Sequence, residues 1–193
     1  VFGERGFDSA TLADVAERAQ VSPGTIQHYF GTKATLFHEV IADRFFSGAA
    51  EDEALLINHR GSYADLLRVL LERTWVRLSR PGSAELLLVG MASAASCPEA
   101  GRVVSGEMGG RCPRVLQGVI QAGVANGEFR PVNAETLARV LGAAIIGLVV
   151  GRRRFASYCQ VGSEPGAALQ ELLQLVELGL VTEKARTKEM QGS

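Results

Sequence analysis

The chain has 193 residues, and its 20 Lys plus Arg against 21 Asp plus Glu leave a formal net charge of −1 and a pI near 6.4. That balance excludes a histone-like or broadly basic polyanion binder. With 47% apolar and 21% charged residues, the chain lies far from the composition of disordered segments and can bury one large core or a small domain beside a larger one.

Glycine is abundant at 22 residues and proline scarce at 6, and Ala, Leu, Val, Arg and Glu supply most of the rest, a mixture that favours helices over sandwiches. Apolar spacing gives helix after helix, about nine, with no alternating run bounded by hairpin turns. The fold class is therefore all-α. In Thr11 to Ala19, the residues Leu12, Val15, Ala16 and Ala19 share one face, and Thr11-x-x-Asp14 reads as a capping box. After the turn Gln20-Val21-Ser22 comes a second short helix, Pro23 to Phe30, with Ser22 as N-cap and Pro23 at its first position. Two short helices joined so tightly make a helix-turn-helix, whose second member can enter a major groove about 12 Å wide.

The outward arc of that second helix carries Gly24, Thr25, His28 and Tyr29, with Gln27 at its flank. Small residues let a helix start, with its positive dipole end, approach phosphate. Gln27 offers a paired donor and acceptor to adenine, Thr25 a methyl or hydroxyl contact, and His28 and Tyr29 hydrogen bonds to phosphates or base edges. Lys33 opens the next helix as a candidate point charge for phosphate.

Phe2, Gly6-Phe7, Ala10-Thr11-Leu12, Asp14-Val15-Ala16, Ala19 to Ile26, Tyr29-Phe30, Lys33 and Leu36 together resemble the DNA-binding signature of the TetR/AcrR family of transcriptional regulators. The resemblance implies that Pro23 to Phe30 is a recognition helix and that the protein is a homodimer on a palindromic operator. Carried over position by position, it gives Thr11 and Lys33 phosphate contacts, Ser22, Pro23, Gly24 and Thr25 the contact turn, and Gln27, His28 and Tyr29 the reading positions. The chain departs from the family pattern at Gln20, where Gly is usual and positive φ costs a non-Gly residue on the order of 1 kcal/mol. It departs again at Gln27 and Tyr29, so the operator sequence does not carry over. Residues 1–48 hold four Lys/Arg (Arg5, Arg18, Lys33, Arg44) against six Asp/Glu (Glu4, Asp8, Asp14, Glu17, Glu39, Asp43). The chain begins at Val1 without Met, and the expectation is that preceding residues supply further positive charge.

The expected division is a DNA-binding domain over 1–48 and a ligand-binding and dimerisation domain over 49–193, with the acidic stretch Gly48 to Gly61 as the boundary. Beyond it, Tyr63 to Leu78 presents Leu66, Leu67, Leu70, Leu71, Thr74, Trp75 and Leu78 on one wide face, and Glu85 to Ala95 is apolar almost all round. The longest uninterrupted apolar run, Val140 to Gly151, falls short of a membrane span. Trp75, Met91, Met108, Phe129, Phe155 and Tyr158 combine bulk with adaptability or a polar handle and are the candidate ligand-binding residues. Small residues from Gly142 to Gly151, followed by an over-wide apolar surface on Ala167 to Leu180, suggest a four-helix dimer seam. The triple arginine Arg152 to Arg154 complements its helix end or meets an anionic effector.

Cys97, Cys112 and Cys159 are odd in number and far apart, as expected of reduced thiols in a cytoplasm. No metal site, cofactor or catalytic constellation is expected: no Cys/His ligand spacing, nucleophile pattern or phosphate-cradling glycine loop occurs. The reading is a cytoplasmic, dimeric repressor released from double-stranded operator DNA by a small hydrophobic inducer. Two alternatives stand beside it: an activator with the same DNA motif, and a helical small-molecule binding protein or enzyme whose helical corner is incidental.

Overall fold

The computed structural model describes residues 1–96, 113–154, 166–183 and 185, and within them all side chains except those of 94–96, 153 and 154. The described residues form helices and no strand, as the composition demands. In chain order the helices are α1 (Phe2–Ser9), α2 (Leu12–Ala19), α3 (Pro23–Phe30), α4 (Lys33–Phe46), α5 (Ala49–Ile57), α6 (Tyr63–Leu78), α7 (Ser83–Ser96), α8 (113–125), α9 (Ala134–Arg154) and α10 (Ala167–Leu180).

These helices fall into two compact units. The first holds α1 to α4 and takes in α7, which packs on α1 and α4. Its core is aromatic: Phe37 is fully buried, and its ring lies 5.1 Å from both Phe2, edge-on, and Phe7. Arg44 ties α4 to the start of α7, its Nε donating to the buried Ser83 Oγ at 3.0 Å and its Nη2 to the Pro81 carbonyl.

The second unit holds α5, α6, α8, α9 and α10. The predicted face of α6 is buried at Leu66, Leu67, Leu70, Leu71, Trp75 and Leu78. Helix α5 occupies most of the stretch Gly48 to Gly61. Its Asp52 is buried because α6 brings two cations to it: Arg73 Nε at 2.5 Å and the buried Arg77 Nη1 at 2.7 Å. Arg73 also reaches Glu51 at 2.9 Å. Its guanidinium is held above its ordinary pKa first by the hydrogen bond to Asp52 and then by that to Glu51.

The start of α6 is capped from far along the chain. The Glu128 carboxylate accepts from Ser62 Oγ at 2.6 Å and from the backbone N–H groups of Tyr63 and Ala64 at 2.9 and 2.7 Å, an anion at the positive end of a helix. The segment carrying Glu128 is pinned in turn by an isolated antiparallel bridge between Phe129 and Val181.

Within α9, Ala134–Arg152 is long and apolar enough to cross a bilayer, although no uninterrupted run within it is. Its Ala138, Leu141, Ile145 and Val149 are buried in the unit at helical spacing, and Arg139 pairs with Glu135 in solvent beside that stripe. That pattern is the one a core helix shows.

Candidate nucleic-acid interface

Three capped helix starts build the site. The Thr11 hydroxyl accepts from the Asp14 N–H at 3.1 Å while Asp14 accepts from the Thr11 N–H at 2.8 Å, the reciprocal box that starts α2. Ser22 accepts from the Thr25 N–H at 3.1 Å to start α3, and its hydroxyl also lies 2.9 Å from the Thr25 hydroxyl. Thr32 caps α4 in the same way through Thr35.

The turn between α2 and α3 closes as the sequence anticipates. Gln20 takes the left-handed conformation at φ 56° and ψ 38°. It donates to the Glu17 carbonyl at 3.1 Å, and Val21 donates to Ala16 at 3.0 Å. Those two bonds are a complete Schellman closure, usually made around glycine.

Helix α3 buries Ile26 and exposes Ser22, Pro23, Gly24, Gln27, His28 and Tyr29, with Thr25 half-buried. Tyr29 is 76% exposed, so it is not spent on packing. The His28 and Tyr29 rings meet edge-on at 5.4 Å. Thr11 is exposed at the head of α2. Eight of the nine residues singled out from the sequence are thus gathered on the helix-turn-helix, on the ends and outer face of two adjacent helices.

The ninth, Lys33, is placed differently. Its ammonium donates to the Phe7 carbonyl at 2.8 Å and the Asp8 carbonyl at 3.0 Å, and stands 4.7 Å above the centre of the Phe7 ring. The other three basic side chains of residues 1–48 are also held within the chain. Arg5 pairs with Asp14, Arg18 grips both oxygens of Glu4 at 3.1 and 2.6 Å, and Arg44 ties α4 to α7. Glu4 titrates below its ordinary range chiefly through the Arg18 hydrogen bond, which also raises Arg18. Asp14 is lowered first by the Thr11 hydroxyl, then by the Thr11 backbone N–H and by Arg5.

The candidate ligand residues are scattered. Phe129 is buried and lines a cavity of about 50 Å³ between α6 and α10, with Leu67, Leu71 and Leu173 as walls and the Arg68–Glu177 ion pair, 2.8 Å, at its edge. Trp75 is buried in α6 but does not line that cavity. Met91 is 45% exposed on α7, in the first unit. Met108, Phe155 and Tyr158 lie outside the described residues, as do Cys97, Cys112 and Cys159. Two features escaped sequence reasoning, the inward turn of Lys33 and the Glu128 cap. Each depends on a partner more than twenty residues away that no local spacing announces.

A helix-turn-helix with three capped starts, a left-handed turn residue and a polar, largely exposed second helix defines a DNA-binding regulator. Residues 1–40 match the sequence model of the bacterial regulatory proteins of the tetR family. No curated protein matches it. Among solved structures it is similar in fold to a transcriptional regulator from Saccharomonospora viridis in complex with choline, at 20% identity, 94% of this chain, 92% of that one and a TM-score of 0.72. It is similar also to the regulator FadR from Bacillus subtilis in complex with stearoyl-CoA, at 16% identity, 91% of both chains and a TM-score of 0.69. E. coli NemR in its reduced form matches at 20% identity, 94% and 92% coverage and a TM-score of 0.72.

Proposed function

We propose that the protein is a dimeric repressor that reads a palindromic operator through Thr11, Ser22, Pro23, Gly24, Thr25, Gln27, His28 and Tyr29, and that a small hydrophobic or amphipathic molecule releases it. The observation carrying the DNA reading is the capped corner Thr11 to Phe30, with an outer face of exposed polar and small side chains. Gln27 and His28 are the base readers, and Thr11, Ser22 and Thr25 hold phosphates. Neither catalysis nor a cofactor has a part in this reading, and the protein acts in the cytoplasm.

Pairing of two chains is supported by the exposed aliphatic surface of α9 and α10. Val140, Ala143 and Gly147 follow one another on an exposed face of α9, and Leu175 and Leu178 are 67% and 63% exposed on α10. Aliphatic side chains left open to water on two helices are the material of a four-helix seam. The inducer is assigned to the second unit beside Phe129 and Trp75, with Phe155 and Tyr158 as further contacts. Because the cavity at Phe129 is small, entry of a drug-sized molecule requires α6 and α10 to part, and that movement is the released state.

The test uses duplexes enriched by the 193-residue chain from a random-sequence library, followed by footprinting on the enriched sequence. A protected palindrome is expected, and no enrichment at any salt would sink the proposal. Gly24→Ala sharpens the outcome. A Cβ at Gly24 meets only the Ser22 hydroxyl, at an ordinary 3.7 Å, so the substitution is free of strain within the protein. Loss of affinity in that variant then reports crowding against DNA. Transcription from a promoter carrying the enriched sequence separates repression from activation.

A further inference from the structure

We propose that Lys33 serves DNA binding from inside the fold, as a latch on the end of α1 that positions the Thr11 turn, and not as a phosphate contact. The inference rests on the operator reading above.

Helix α1 is eight residues long and is interrupted at Gly6, whose φ of 80° and ψ of 170° are not helical. So short a last turn leaves carbonyls without intrahelical partners. Lys33 reaches back across the unit and supplies donors to two of them, Phe7 and Asp8. A cation at a helix C-terminus is favourable on dipole grounds as well. Of the three donors on an ammonium, two are committed, and the charge rests on the Phe7 ring. Swinging Lys33 outward to a phosphate would strip both carbonyls and uncover a ring that packs against Phe2 and Phe37.

The carbonyls that Lys33 holds stand just ahead of the DNA-facing surface. After Asp8 come Ser9 and Ala10. Ala10 is fully buried and extended at φ −75° and ψ 141°, and it delivers Thr11 into its capping box with Asp14. Asp14 in turn is bridged by Arg5 back to α1. Fixing the end of α1 therefore fixes where Thr11 presents its hydroxyl, and with it the start of α2.

The test compares Lys33→Met and Lys33→Gln with the unaltered 193-residue chain, well below the melting temperature of each. One readout needs no DNA: hydrogen exchange of residues 9–14. The other is affinity for the enriched duplex across a salt series. For Lys33→Met, exchange at 9–14 accelerates roughly tenfold. Affinity falls about tenfold at every salt concentration, with the slope of log Kd against log salt unchanged. Lys33→Gln keeps an amide donor for the carbonyls without the charge and shows the same slope with a smaller loss, which keeps the test open should the Met variant fail to fold. A salt slope reduced by about one unit per protomer in either variant, or unaltered exchange at 9–14, overturns the latch. If the unaltered chain enriches no duplex, the operator reading fails on its own, and the exchange result still decides for or against the latch.

Discussion

Around Thr11 to Tyr29 the exposed side chains are short or polar, and Thr11, Asp14, Ser22 and Thr25 are each fixed by a hydrogen bond within the chain. On α9 and α10 large aliphatic side chains stand exposed among polar ones such as Arg139 and Gln174, with Val140, Leu175 and Leu178 showing 55%, 67% and 63% of their surface. The first surface consists of oriented dipoles and gains from direction, which suits a partner with its own pattern of donors and acceptors. The second gains only from area, at about 25 cal/mol per Å² of apolar surface covered. Damage to the two should read out differently, as altered selectivity in one and as altered dependence on protein concentration in the other.

The strongest challenge to this contrast is the double variant Leu175→Glu with Leu178→Glu. Two charges on the aliphatic face should convert a two-chain species at micromolar concentration into a monomer in sedimentation. Operator affinity should fall by at least about a hundredfold, because the second half-site is no longer tethered to the first. A monomeric unaltered chain, or a monomeric variant with full affinity, would break the pairing reading.

Comparable in size, but read in stability and not in affinity, is Asp52→Ala. It leaves Arg77 buried without its carboxylate, and uncompensated buried charge costs about 3–5 kcal/mol. Urea denaturation measures the loss, and the salt dependence of DNA binding should not change. Smaller, and opposite in sign, is Gln20→Gly. Relief of the left-handed conformation should raise stability by up to about 1 kcal/mol, and a destabilised variant would mean that the Gln20 side chain contributes more than the turn.

The smallest effect is acid sensitivity at Asp14 and Glu4. Both carboxylates titrate below their ordinary range in the folded chain. Their contribution is complete above the unfolded pKa, near 4, and is lost as pH falls through the lowered folded value. Asp14→Asn should therefore melt earlier than the unaltered chain at neutral pH and converge with it in strong acid. A constant gap across that range would assign the effect to shape and not to charge.

Helix starts were legible because a cap is a local event: Thr11 and Ser22 each bond an N–H three residues on. The left-handed Gln20 was legible for the same reason. Position on a motif did not reveal direction of use for Lys33, because its partners belong to α1. Nor did acidity at Asp52 reveal exposure, because Arg73 and Arg77 wait on the next helix. Bulk and adaptability describe core and pocket alike, so the sequence did not distinguish Phe129, which lines the cavity between α6 and α10, from the buried Trp75.

The engagement of all four basic side chains of residues 1–48 bears on life in a crowded chromosome. Unspecific grip on DNA comes almost wholly from cations that displace counterions, and a genome offers some 10⁶ or more competing sites. With these four cations engaged within the chain, residues 1–48 meet DNA through placed dipoles and not through free positive charge.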